Sequence, residues 1–93
     1  MSLYLKDPEA SLDWTIDWSP NYLGGQSVIS SLWNVEPAEP GGIVVQSSIN
    51  DGQRTMATLG GGLPGHVYRV GNRITLSDGR GDERTLTVRV EQR

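Results

Sequence analysis

Apolar and polar side chains alternate with a period of two along most of this chain. The clearest example is residues 12–18, where four apolar side chains are separated by Asp13, Thr15 and Asp17. Successive side chains of a β-strand point to opposite faces of its sheet, so this segment is predicted to be a strand with one buried face. No stretch repeats with a helical period over three turns. The pattern therefore predicts an all-β protein.

The same alternation predicts a series of short strands separated by turns. Asn50-Asp51-Gly52 is a strong hairpin signal, because Asn-Gly and Asp-Gly pairs tolerate the positive φ values of tight turns. Another break is expected at Ser19-Pro20-Asn21. Strands are predicted at residues 12–18, 27–35, 43–49, 55–59, 66–76 and 84–91, and residues 3–5 are a candidate seventh.

This spacing of strands and turns indicates the fold class. About seven short strands in 93 residues are typical of an immunoglobulin-like antiparallel β-sandwich. A small β-barrel is the alternative. At this length we expect residues 1–93 to form one single domain.

The second predicted strand, residues 27–35, is apolar on both faces. One face carries Ile29, Trp33 and Val35, and the other carries Val28 and Leu32. A strand that is apolar on both faces is expected in the middle of a sheet or beneath a covering element.

In the long strand at residues 66–76, one polar residue lies on the apolar face. Asn72 shares that face with Tyr68, Val70, Ile74 and Leu76. An amide on a core-facing position predicts either a bend or a buried hydrogen bond there.

Charge is unevenly distributed along the chain. Residues 1–51 hold seven acids and one base, whereas residues 52–93 hold four acids and seven bases, within a net charge of −3. Pairing of strands from the two halves within one molecule explains this distribution, and head-to-tail association between copies or with a partner is the alternative. The net negative charge argues against a nucleic-acid partner.

The sequence lacks the residues that catalysis or metal binding would need. Cysteine is absent and His66 is the single histidine, so neither a nucleophile–base pair nor a zinc site is predicted. Asp13 and Asp17 would lie about 13 Å apart on a strand, farther than the carboxylate pairs of glycosidases. We therefore predict no enzyme activity, cofactor or metal. No apolar run or basic leader predicts a membrane span or a signal peptide.

Outward-facing charges are the best candidates for a protein-interaction site. Alternation places Arg69, Arg73 and Arg89 on one outer face, interleaved with threonines. It places Asp13 and Asp17 on another. We predict that the arginines form a basic surface for an acidic partner, which includes the Asp13 and Asp17 face of another copy.

Three tryptophans leave a second function open. Trp14, Trp18 and Trp33 could stack against sugars, as in a small carbohydrate-binding β-sandwich module. Alternation places Trp14 and Trp18 with Leu12 and Ile16 on the core-directed face, which favours packing. Exposed tryptophans would favour the carbohydrate-binding alternative.

Short motifs along nearly the whole chain resemble a family of small tailed-phage and prophage proteins. They are Lys6-Asp7-Pro8-Glu9-Ala10, Leu12-Asp13-Trp14, Asp17-Trp18, Gly65-His66-Val67-Tyr68-Arg69-Val70, Asn72-Arg73-Ile74-Thr75, Gly79-Arg80, Asp82-Glu83-Arg84 and Thr87-Val88-Arg89-Val90.

Members of that family are virion structural proteins described as fibre–tail adaptors. The resemblance implies an immunoglobulin-like sandwich and a non-enzymatic phage or prophage adaptor that contacts other virion proteins, with self-association as a further expectation. From the net charge, the lack of a long apolar run and the small core, we predict no nucleic acid, membrane or small-molecule substrate as partner. The implied location is the virion after assembly and the bacterial host cytoplasm during synthesis.

Overall fold

The computed structural model describes residues 3–18 and 25–92, and this part of the chain contains strands and no helix. The break predicted at Ser19-Pro20-Asn21 lies outside the described residues. The strands are β1 (Leu3–Lys6), β2 (Leu12–Asp17), β3 (Val28–Glu36), β4 (Val44–Asn50), β5 (Arg54–Gly60), β6 (Val67–Leu76) and β7 (Gly81–Val90).

The strands form two sheets. One has four strands in the order β1-β7-β6-β3, and the other has three in the order β2-β5-β4. Neighbouring strands are antiparallel except for β1, which runs parallel to β7. Two open sheets over a shared core confirm the predicted β-sandwich. The orders β2-β5-β4 and β7-β6-β3 match those of corresponding strands in immunoglobulin domains.

A buried tyrosine supplies a second immunoglobulin-like feature. Tyr68 lies near the start of β6 and is fully buried. Its Oη accepts a hydrogen bond of 3.1 Å from the backbone N–H of Leu63, five residues upstream. This is the tyrosine corner of immunoglobulin-like sandwiches, in which a strand tyrosine fixes the connection that precedes it.

Two clusters of buried side chains fill the space between the sheets. Trp14 and Trp33 pack against both clusters and contact each other edge to face, with ring centroids 5.4 Å apart. The apolar cluster is made of Ile43, Ala57, Leu59, Tyr68, Val70, Leu86, Val88 and Val90. The tryptophan cluster is made of Ile16, Trp18, Val28, Ile74 and Leu76.

Asn72 forms the buried hydrogen bonds that its position predicts. Thr55 Oγ1 donates to Asn72 Oδ1 at 2.6 Å and accepts from Trp18 Nε1 at 3.0 Å. Asn72 Nδ2 donates to Ser31 Oγ at 2.8 Å and to the carbonyl of Leu32 at 3.1 Å. This polar network links β5 of one sheet to β6 and β3 of the other. It satisfies polar atoms that would be costly to bury alone.

Strand β3 corrects two predictions. A bulge shifts the pairing with β6 between Val28 and Ser30, so Val28 is buried and Ile29 is 61% exposed, and the predicted grouping of Ile29 with Trp33 and of Val28 with Leu32 is wrong. An extra residue in one strand exchanges the faces on either side of it. β3 is also an edge strand, and Leu32 on its outer face is 65% exposed, so the predicted central or covered position is wrong.

Strand pairing explains the uneven charge of the two halves. β1, β2, β3 and β4 from residues 1–51 all pair with strands from residues 52–93. The register sets Asp17 opposite Arg54 and Glu36 opposite Arg69. The prediction that complementary halves pair within one molecule is therefore confirmed.

Lys6 anchors β1 to the rest of the sandwich. The residue is 3% exposed, and its Nζ donates to the carbonyls of Gly61 at 2.6 Å and Asp7 at 2.9 Å. Burial lowers the pKa of this ammonium group, partly opposed by the charge of Asp7. β1 is thus held by a side chain as well as by its pairing with β7.

Candidate protein-interaction surfaces

The three predicted arginines share the outer face of the four-stranded sheet. Arg69 and Arg73 on β6 and Arg89 on β7 are all exposed. They alternate with buried residues such as Val70 and Val88, so alternation along each strand directs them away from the core. The sequence therefore placed these side chains on the correct face.

The face is not basic as predicted, because glutamates accompany the arginines. Glu36 lies opposite Arg69, and Glu83 lies opposite Arg73 in the strand register. The third arginine forms an ion pair with the residue that follows β7: Arg89 Nε lies 3.1 Å from Glu91 Oε1. The prediction missed this balance because it began the last strand at residue 84, which leaves out Glu83, and because it did not consider Glu36 on the neighbouring strand β3.

Arg69 and Arg73 nonetheless differ from Arg89 in their contacts. Within residues 3–18 and 25–92, no carboxylate lies within 4.0 Å of either side chain's nitrogens. Their spacing of four residues on one strand corresponds to about 13 Å. They are two exposed cations on one line that a partner's carboxylates can reach.

A shallow polar depression lies on the same face, beside Arg69 and next to Gly71. A Cβ at Gly71 would be 2.7 Å from Asn34 Oδ1, so the close approach of this side chain requires glycine. The depression has a volume of about 180 Å³ and is lined by Asn34, Glu36, Arg69, Gly71, Glu83 and Thr85.

The predicted acidic residues lie on the outer face of the three-stranded sheet. Asp13 and Asp17 are exposed on β2 and are also four residues apart. Thr58 Oγ1 donates a hydrogen bond of 2.8 Å to Asp13 Oδ1, and Asp17 lies opposite Arg54. Arg54 in turn is 3.3 Å from Asp51. The two sets of predicted site residues thus lie on opposite sides of the sandwich.

A groove runs across this acidic face. Its centre includes Met56, which is half-buried, and Ile49, which is 59% exposed. Its volume is about 290 Å³, and its lining residues are Asp13, Thr15, Ser47, Ser48, Ile49, Met56, Ala57 and Thr58. Sequence reasoning missed this groove. The shift in pairing between Val45 and Ser47 sets which residues of β4 face outward, and alternation alone does not reveal it.

A comparison with protein families identifies the family of the chain. The family model described as "Podophage GP4 fiber-tail adaptor protein gp77" matches residues 6–89, which include both candidate faces. The chain belongs to this family. The resemblance identified from the sequence is therefore confirmed, and with it a structural adaptor role in the virion. A search of curated proteins finds no match.

The tryptophans of this fiber-tail adaptor family member form part of the core. Trp18 is fully buried, and Trp14 and Trp33 are half-buried and packed against both clusters. Arg84 covers one face of Trp18, with its Cζ 4.7 Å from the ring centroid. These three side chains do not form the exposed platform that the carbohydrate-binding alternative needs.

The single histidine contributes to a loop contact. His66 Nδ1 lies 2.8 Å from Glu39 Oε1, and Tyr68 Oη donates to the same oxygen at 3.3 Å. The contact joins the loop after β3 to the connection before β6. In the described part of the chain, no group of three metal-binding side chains comes together. That part also contains no helix that could cross a membrane.

Proposed function

We propose that this chain is a non-enzymatic virion adaptor that joins fibre and tail through protein–protein contacts, with residues 1–93 acting as a single domain. The observation that carries this proposal is the family match over residues 6–89. That range contains β2 to β6 completely and most of β7, so the matched unit is the sandwich itself.

The two outer faces are the contact surfaces that we assign to this role. An adaptor needs two surfaces that can be occupied at once, and Asp13 and Asp17 lie on the opposite side of the sandwich from Arg69, Arg73 and Arg89. Exposed charges favour specific docking over tight affinity. The partners are other virion proteins, and the glutamates among the arginines disfavour nucleic acid as the ligand of that face.

The proposed location follows from the role. The protein is made in the bacterial host cytoplasm and becomes part of the virion during assembly. Binding is expected to be weak for each isolated contact and stronger on the particle, because neighbouring contacts raise the local concentration of each surface.

Complementation of a phage that lacks this gene tests the proposal. Wild-type protein should be detected in purified particles by mass spectrometry, and particles assembled without it should lack fibres in electron micrographs. Replacing Arg69, Arg73 and Arg89 with glutamine should reduce incorporation or fibre attachment, whereas Arg80→Gln on the β6–β7 turn should not. Absence of the wild-type protein from infectious, fibre-bearing particles would overturn the adaptor role.

A further inference from the structure

In the described part of the chain, three of the four strands at the sheet edges are unsuited to further pairing. β1 is four residues long, and β2 carries exposed carboxylates at Asp13 and Asp17. β4 contains a bulge between Val45 and Ser47 in the middle of its pairing with β5. Short edges, exposed charges and bulges are the devices by which proteins keep sheet edges from pairing with other chains.

The fourth edge strand, β3, lacks these devices over most of its length. It is nine residues long, and its one charged residue is Glu36 at its end. Its bulge lies at its beginning, so residues 30–36 pair regularly with β6. Ile29 and Leu32 are 61% and 65% exposed, more than any other large apolar side chain of the described residues. A long apolar edge of this kind is able to pair with a further strand.

Hydrogen bonds show which backbone groups of β3 point to its free edge. The carbonyl of Leu32 accepts from Asn72 Nδ2 on β6 at 3.1 Å, so the backbone groups of Leu32 point towards β6. Backbone groups alternate in direction along a strand, and those of Ser31 and Trp33 therefore point to the free edge. The beginning of this edge is covered, because the turn between β4 and β5 forms two hydrogen bonds with the backbone of Val28.

We infer that β3 pairs antiparallel with β3 of a second copy, with Leu32 at the two-fold axis. In this register Ser31 of each copy lies opposite Trp33 of the other, so their edge-facing backbone groups form about four hydrogen bonds around the axis. Leu32 meets Leu32 on the outer face, and Ser30 lies opposite Asn34. Apolar residues thus face apolar residues and polar residues face polar ones, which is what fixes the register of a strand pair.

The charges around β3 favour a second copy as the occupant. Residues 30–34, which form the paired segment, carry no charge, and Glu36 lies beyond it. Arg73 lies beside Leu32 on β6, so the Arg73 residues of the two copies are three strand spacings or about 14 Å apart. Pairing about a two-fold axis closes on itself and yields a dimer, not a filament. It leaves the charged outer faces of both copies exposed, and it does not depend on the adaptor role.

The small area of this contact makes the dimer weak in solution. Five paired residues at about 3.3 Å each, across a sheet layer about 10 Å deep, cover roughly 170 Å² on each copy. The total is well below the roughly 1,200 Å² of stable interfaces. We therefore expect dimers at about millimolar protein, and more stable pairing wherever a particle holds two copies close together.

A single introduced cysteine tests the register, because the chain has no cysteine of its own. Leu32→Cys places one thiol of each copy at the axis, with Cα atoms about 4.5–5.5 Å apart, within the range that disulfides span. Under mild oxidation at about millimolar protein, the covalent dimer should form at least about tenfold faster than for Ile49→Cys. Ile49 is the matched control, because it is 59% exposed and lies on β4, the edge strand of the other sheet.

Amide hydrogen exchange of the wild-type chain tests the pairing without any substitution. Between about 10 μM and about 1 mM protein, the N–H groups of Ser31 and Trp33 should become more protected, because they enter hydrogen bonds in the dimer. The N–H of Leu32 should keep its protection, since it faces β6 in the monomer and in the dimer.

Sedimentation equilibrium measures the dimer directly. Leu32→Lys should raise Kd at least about tenfold, because it replaces the apolar pair at the axis with two like charges. Ile49→Lys adds the same charge and should leave Kd within about twofold of wild type. About 1 M salt should not dissociate the wild-type dimer, because the contact contains no ion pair. Circular dichroism of each variant checks that the exposed substitutions leave the fold intact.

Two results would overturn the inference. One is wild-type protein that stays monomeric at millimolar concentration with unchanged exchange at Ser31 and Trp33, and the other is Leu32→Cys that cross-links no faster than Ile49→Cys. If the protein is monomeric but Leu32→Lys fails to enter particles, self-pairing is wrong and the β3 edge binds a strand of another virion protein. The adaptor role is tested separately, by the presence of the wild-type protein in particles.

Discussion

The two ends of the core are held together in different ways. At one end, the apolar cluster around Leu59, Leu86 and Val88 packs hydrocarbon against hydrocarbon and has one polar anchor, the Oη of Tyr68. At the other end, the tryptophan cluster adjoins the buried network of Trp18, Thr55 and Asn72.

The difference assigns separate roles to packing and to hydrogen bonding. Apolar burial is large but non-directional, so it stabilises the sandwich without selecting a particular offset between the sheets. Buried hydrogen bonds add less net free energy but require one geometry. The chain has no cysteine and therefore no disulfide between the sheets, and this polar network is a directional link between them.

The largest effect is expected from a cavity in the apolar cluster. Leu86→Ala should lower the free energy of unfolding by about 3 kcal/mol, because Leu86 is fully buried and its neighbours can relax only partly into the space. Urea denaturation measures the change. Thr85→Ala, on the exposed side of the same strand, is the control and should stay within about 0.5 kcal/mol of wild type.

Removing the polar network should cost less than the cavity but should show coupling between its members. Asn72→Leu keeps a similar volume and leaves the hydroxyl of Thr55 without its acceptor, so we expect a loss of about 2 kcal/mol in unfolding free energy. Adding Thr55→Val should cost less than the sum of the two single changes, since both partners are then apolar. Additive losses in this double-mutant cycle would contradict a coupled network.

The hydroxyl of Tyr68, the polar anchor of the apolar cluster, should contribute about half as much to the unfolding free energy as Asn72 does. Tyr68→Phe keeps the buried ring but removes the acceptor of the Leu63 N–H and the donor to Glu39, and we expect a loss of about 1 kcal/mol. Hydrogen exchange should become faster at Leu63, while amides around Asn72 stay protected. Equal loss of protection at both ends would contradict their independence.

The smallest effect is expected on stability in acid, through aspartates in the turns near the tryptophan cluster. Backbone N–H donors of Arg54 and Gln53 lower the pKa of Asp51 below 3.8, and the N–H of Arg80 does the same for Asp78. A carboxylate whose pKa is lowered in the folded state stabilises the protein above about pH 3.8. This stabilisation is lost as the pH falls through the folded-state pKa. Thermal melts between pH about 5 and 2 should therefore show a smaller acid-induced loss for Asp51→Asn than for wild type.

Alternation predicted faces well wherever the strands are regular. Asp13, Thr15 and Asp17 are exposed as expected, and Tyr68, Val70 and Ile74 are buried. It failed at Ile29, because a one-residue bulge exchanges faces and leaves no apolar signature of its own. The charged face around Arg69 and Arg73 was predicted only in part, because the sequence of one strand does not show which residues lie beside it. Single strands located Arg69 and Arg73, but only the sheet register shows Glu36 and Glu83 across from them.

The parallel pairing of β1 with β7 has a mechanical consequence for a structural adaptor protein of the virion. Tension between the start of β1 and the end of β7 would slide the two strands past each other along their axes. The hydrogen bonds from Leu3 to Lys6 then carry the load together, since they lie across the direction of pull. The contact of Lys6 Nζ with the Gly61 carbonyl adds a tie at the same place. The strand pair therefore resists shear as a unit and does not open one bond at a time.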